Sequence, residues 1–103
     1  MIKITASRNN GKITSLTVKG HANSAPHGED LVCAAVSSIL VGGCNALNQP
    51  NCFAIKLNEG DGSILEISNA NEHDYEVLET MLIQFKTVEE SSKKFLQVIE
   101  KGN

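Results

Sequence analysis

GHANSAPHGEDLVCAAVSSIL, residues 20–40, is where the chain changes its period. Before it, apolar residues alternate with polar ones: Ile2, Ile4 and Ala6, then Leu16 and Val18. That alternation predicts strands with one covered face. After it, Val32, Ala35, Ile39 and Gly43 fall on one helical stripe, and Cys33, Val36, Ser37, Leu40, Cys44 and Leu47 on another. A helix apolar on two stripes is covered on both, one against a sheet and the other against a second helix or a second subunit. Between the two patterns, Gly20 to Glu29 has no apolar period and reads as a mobile loop, a candidate lid. Asp30 is placed to cap the helix, which is expected from Leu31 to about Leu47. The Gly42-Gly43 pair inside it costs roughly 1 kcal/mol per glycine against alanine, which implies close packing or a kink there.

Working outward, Asn9-Asn10-Gly11 is a turn signal, because Asn and Gly tolerate positive φ. It joins the strand at Ile2 to a returning strand over Ile13 to Lys19, where Ile13 is out of phase and suggests a bulge. On the other side, Pro50 ends the helix. Cys52 to Asn58 and Ser63 to Ser68 read as a second hairpin through Glu59-Gly60-Asp61-Gly62. Asn69 to Asn71 supplies capping residues, and Glu72, Asp74 and Glu76 suit a helix start. The apolar series Tyr75, Leu78, Met81, Leu82, Phe85, Val88, Phe95 and Ile99 predicts a helix from Glu72 to about Ile99, with Thr87 a candidate break. The order is ββαββα. The expected fold is α+β, with two β-hairpins in a mostly antiparallel sheet packed against two helices, as a single domain over residues 1–103.

The 103 residues include 41% hydrophobic and 20% charged types, with a formal net charge of -3. Arg8 is the only arginine and Lys93-Lys94 the largest basic cluster, so direct nucleic-acid binding is disfavoured. An acidic chain suits a basic partner better. Met1 to Thr5 alternates like a strand and has no signal-peptide character, and no apolar run is long enough for a membrane span. Three cysteines at unrelated spacings are no disulfide framework and fit a reducing cytoplasm.

The chemistry concentrates at the two ends of the loop. Cys33, expected in the first helical turn, would have its thiolate favoured by free backbone N–H groups, which could also form an oxyanion hole. His21, folded back over the helix start, is the natural base. Spacing alone leaves a core thiol as the alternative, since cysteine is among the most buried residue types. Cys44 and Cys52 read as core residues. Ser37, one turn beyond Cys33, either bonds a ligand or bonds a carbonyl one turn back. Asp30 either caps the helix or orients His21, and Gly20 and Gly28 permit unusual backbone angles at the loop ends. His27 reads as a solvated loop residue and His73 as surface. His21, His27 and Cys33 match no structural zinc spacing and lack a fourth ligand, so no metal is expected.

Gly20-His21-Ala22, Gly28 and Asp30-Leu31-Val32-Cys33-Ala34-Ala35-Val36-Ser37 together resemble the signature of the ribosomal-processing cysteine protease family, Prp. The resemblance implies a homodimeric endopeptidase of the bacterial cytoplasm without a cofactor. Its substrate would be a basic ribosomal protein with an N-terminal extension, large-subunit protein twenty-seven, cut after a phenylalanine within an apolar segment. By position Cys33 would be the nucleophile and His21 the base, with Gly20, Asp30 and Ser37 in supporting or substrate-binding roles. Two other readings compete with it: a non-catalytic dimeric module that binds ribosomal proteins or assembly factors, and a hydrolase of another small acyl substrate.

Overall fold

Alternation in the first twenty residues folds as expected. The structure, a computed structural model, describes the backbone of residues 1–21 and 26–103 and the side chains of residues 1–21 and 31–103. Strand β1 (Ile2–Asn9) and strand β2 (Lys12–Lys19) form an antiparallel hairpin. Asn10 and Gly11 both take positive φ, 53° and 79°, as a tight two-residue hairpin turn demands. The register slips between Ser7 and Arg8, so Arg8 pairs with Ile13. That bulge brings the out-of-phase Ile13 onto the covered face, where it is fully buried.

Helix α1 (Pro26–Ala46) starts earlier than Leu31. Proline at a first helical position lacks only an N–H that would have no intrahelical partner, so Pro26 opens the helix well. Asp30 and Gly28 therefore lie inside the helix rather than at a cap or a loop end, and residues 26–29 are helical, not loop. The lid expected of the loop falls on residues 22–25, outside the described residues. A 3-10 turn at Pro50–Cys52 leads into strand β3 (Phe53–Asn58), then strand β4 (Asp61–Glu66), with Glu59-Gly60 alone as their turn.

Helix α2 (Glu72–Ser91) is shorter than predicted. Thr87 does not break it; its hydroxyl donates to the Ile83 carbonyl one turn back. The chain leaves the helix at Ser92 and returns as strand β5 (Leu96–Gly102), parallel to β1, with Ile2 opposite Leu96 and Ile4 opposite Val98. The five-stranded sheet has the order β3-β4-β2-β1-β5, antiparallel except for β1–β5. Both helices lie on one face, and α2 carries the chain from β4 across to the far edge.

One core fills that face. Ile4, Leu16 and Ile64 from the sheet meet Val36 and Leu40 of α1 and Leu78 and Phe85 of α2. Full burial of such side chains contributes roughly 1.5–3 kcal/mol each. The glycine pair in α1 is explained in part. A Cβ on Gly43 would overlap the Met81 side chain, so the helices cross there in close contact, whereas a Cβ on Gly42 would meet nothing within 4 Å. Arg8 grips Glu79 of α2 with both terminal nitrogens, at 2.6 and 2.9 Å, and reaches Glu100 of β5 at 3.3 Å. It thereby ties β1, α2 and β5 together.

Candidate active site

Strand β2 ends at Lys19, and the chain must then turn sharply. Gly20 takes φ +92°, and a Cβ there would lie 2.5 Å from the Met1 carbonyl oxygen. Both facts require glycine at this position. His21 follows, exposed to solvent. On α1, Cys33 and Ser37 stand one turn apart and share a helix face. Cys33 is partly buried, and Ser37 is exposed.

These three side chains line one cavity of ≈ 370 Å³ between α1 and the β3–β4 hairpin. Its apolar wall comes from Val18, Leu40, Val41 and Leu57, and its hairpin rim from Asn58, Glu59 and Asp61. Gly62 admits Leu40 to that wall: a Cβ there would sit 2.5 Å from Leu40 Cδ2. Among the described residues no hydrogen bond joins the Cys33 thiol to the His21 ring; the two flank the same space. Such contacts are often long in unliganded sites and tighten around substrate.

Asp61 sits between two lysines, donors Lys19 Nζ and Lys56 Nζ, the latter at 3.1 Å. Lys19 first and Lys56 second hold its carboxyl below the usual carboxylate value. The rim is therefore charge-balanced around Asp61. Helix α2 carries further carboxylates at Glu76, Glu89 and Glu90, while its Glu72 and Glu79 are paired with Lys12 and Arg8.

Helix α1 changes the expected role of the backbone at Cys33. The thiol lies about two turns inside the helix rather than in its first turn, where amides lack intrahelical partners. The free N–H groups expected beside Cys33 thus belong to the turn at Pro26, and they do not supply an oxyanion hole at the thiol. Asp30 has its backbone one turn ahead of Cys33, and its side chain and that of His27 lie outside the described residues.

The other cysteines behave as packing residues. Cys44 is half-buried against the core, and burial pushes its thiol up. Cys52 lies 3.7 Å from Gln49 Oε1. His73 is half exposed, as expected of a surface residue, but its Nδ1 stands 2.8 Å from the buried Asp74 carboxylate. Among the described residues no group of three or more His, Cys, Asp or Glu side chains could hold a metal ion.

Sequence reasoning missed the hairpin half of the cavity. Glu59 to Gly62 reads only as a turn, although two glycines in four residues exceed what a two-residue turn needs. Gly62 admits Leu40, and Gly60 admits the His21 ring: a Cβ on Gly60 would lie 2.6 Å from His21 Nε2.

Residues 1–97 match a protein-family model described as cysteine protease Prp. A Bacillus subtilis protein named ribosomal processing cysteine protease Prp is 35% identical over 107 aligned positions, covering 95% of this chain and 96% of its own length. A Staphylococcus aureus protein of the same name is 32% identical over 84 positions, covering 78% of this chain and 79% of its own length. Among solved structures, the S. aureus ribosomal processing protease Prp in complex with a covalently linked product peptide superposes with a TM-score of 0.83. Its identity is 29%, over 98% of this chain and 100% of that one.

Proposed function

This chain belongs to the cysteine protease Prp family, and from that premise we propose that it removes the N-terminal extension of large-subunit ribosomal protein twenty-seven, with Cys33 as nucleophile and His21 as base. The protein is a cysteine protease by family. The observation that carries the finer reading is the cavity: a thiol from α1 and an imidazole from the end of β2 line the same space.

The chemistry follows from that pair. His21 accepts the Cys33 thiol proton as the sulfur attacks the scissile carbonyl carbon. The tetrahedral intermediate collapses, the C–N bond breaks, and the imidazolium returns its proton to the leaving amine. The extension is left as a thioester on Cys33. Water, deprotonated by His21, attacks that carbonyl; the carboxylate product leaves and the thiol is restored. Ser37, which lines the cavity, donates to the substrate. Gly20 supports His21 through its backbone, and Asp30 takes the supporting role that its position in the motif implies.

Attraction of a lysine-rich substrate falls to the acidic α2 surface as a long-range effect, because the rim itself is balanced. The apolar wall of Val18, Leu40, Val41 and Leu57 suits the apolar segment of the extension. The proposal includes a homodimer in the bacterial cytoplasm; exposed Leu31 on α1 is apolar surface that a second copy could cover.

Incubation of the protein with the extended ribosomal protein, followed by mass analysis of the products, tests the substrate. The expected outcome is a single cut after a phenylalanine of the extension. Cleavage at scattered sites, or an intact ribosomal protein, would refute this substrate.

A further inference from the structure

We propose that the Glu59-Gly60 turn is the positioning element for the His21 imidazole, and that residue 60 is glycine so that the ring can rest on its backbone. The inference rests on the reading of His21 as the base and deepens it.

Three successive residues at the end of β2 engage the turn. Lys19 pairs with Asp61 across the β2–β4 ladder and through its ammonium group. The Gly20 N–H donates to the Gly60 carbonyl at 3.0 Å. The His21 ring comes next and lies over Gly60: a Cβ built there would stand 2.6 Å from Nε2, 2.7 Å from Cε1 and 3.4 Å from Cδ2. Three ring atoms converge on the space a methyl group would need. Asp61 is held in turn by Lys56, so the turn is pinned on both sides. An exposed histidine needs a contact to fix its χ angles, and among the described residues Gly60 supplies one.

The consequence is directional. Any side chain at position 60 must push the imidazole off the turn and so change its approach to Cys33. A catalytic geometry displaced by about 1 Å can lose on the order of a hundredfold in rate. Gly60 contributes no group to the reaction; it acts through the position of the His21 ring.

Gly60 also takes φ +71°, so alanine there strains the backbone whatever the ring does. Gly11 provides the control. It takes φ +79° in the β1–β2 turn, and a Cβ on it would meet nothing within 4 Å. Gly11→Ala shares the strain without the ring contact.

The experiment compares Gly60→Ala with Gly11→Ala by thermal melting, by the NMR resonances of the His21 ring, and by the rate of Cys33 alkylation with iodoacetamide as a function of pH. Both variants should lose comparable thermal stability. Only Gly60→Ala should shift the ring resonances, and only it should lose alkylation rate near neutral pH, by roughly tenfold or more. Ring resonances and an alkylation profile equal to those of Gly11→Ala would overturn the proposal. A shifted ring with an unchanged alkylation profile would support the positioning and count against His21 as the base, so the two failures are distinguishable.

Discussion

Cys33→Ala is expected to abolish cleavage of the extended ribosomal protein, with turnover falling roughly 10⁴-fold or more, because loss of a covalent nucleophile removes the whole acylation route. The fold should survive. Cys33 is only partly buried, its neighbours Val32 and Val36 carry the core contacts of that helix stretch, and alanine is the best helix former. The melting temperature should therefore move by only a few degrees while activity disappears. Cys44→Ala and Cys52→Ala are the matching controls and should keep activity, since both thiols sit away from the cavity that Cys33 lines. Measurable cleavage by the Cys33→Ala protein would remove the nucleophile assignment.

Asp74→Ala should produce the largest loss of stability from a single side chain outside the apolar core. Asp74 is completely buried. Its backbone N–H donates to the capping Asn71 Oδ1 at 2.8 Å, as a helix start predicts. Its carboxylate, however, reaches back to the exit of α1, accepting from the Asn48 N–H at 2.8 Å and the Gln49 N–H at 2.9 Å. One side chain thus joins the end of α1 to the start of α2. Truncation leaves two amides without that acceptor, at about 1–2 kcal/mol each on residues that are themselves exposed. A total of about 2–4 kcal/mol is expected, or roughly 10–20 °C in melting temperature for a domain of this size. Asp74→Asn retains one acceptor and should lie between.

The same carboxyl makes the loss pH-dependent. Burial pushes its pKa up, but the Asn48 amide, the His73 ring and the Gln49 amide outweigh burial and hold it below the usual value. A carboxyl with a depressed folded pKa stabilises the protein fully above its unfolded pKa and loses that contribution as pH falls through the folded one. The gap in melting temperature between wild type and Asp74→Ala should accordingly be widest near neutrality and close in acid. A gap independent of pH would mean that the ionised carboxylate is not what holds the two helices together.

Most of the fold was legible because the signals are local. The alternation of Ile2, Ile4 and Ala6, the Asn10-Gly11 turn and the phase of Ile13 each have one physical explanation, and the bulge follows from the last. Strand β5 was not legible, because Leu96, Val98 and Ile99 extend the apolar series of α2 as readily as they make a strand. Pairing with β1, more than ninety positions away in sequence, decides between the two. The start of α1 was misplaced for a different reason: an acidic cap signal at Asp30 was favoured over proline at a first helical position, and Pro26 prevails.

The site divides in the same way. His21, Cys33 and Ser37 could be named from the chain and do line one cavity. The β3–β4 hairpin that closes the cavity could not, since the approach of Gly60 to His21 and of Gly62 to Leu40 is tertiary. The oxyanion expectation failed with the helix boundary on which it depended. Asp74 was read as a favourable charge at a helix start, and its larger role comes from partners on the preceding helix.

The central claim, that Cys33 attacks the peptide with help from His21, is most directly tested by a thiol-specific trap. A peptide of the ribosomal extension, ending in a phenylalanyl vinyl sulfone, would be added to the wild-type protein near neutral pH, and the modified protein digested and mapped by mass. The account predicts one adduct per chain, on the peptide containing Cys33, formed far more slowly by His21→Ala. Modification of Cys44 or Cys52 at a comparable rate, or an adduct at Cys33 that forms equally fast without His21, would contradict it.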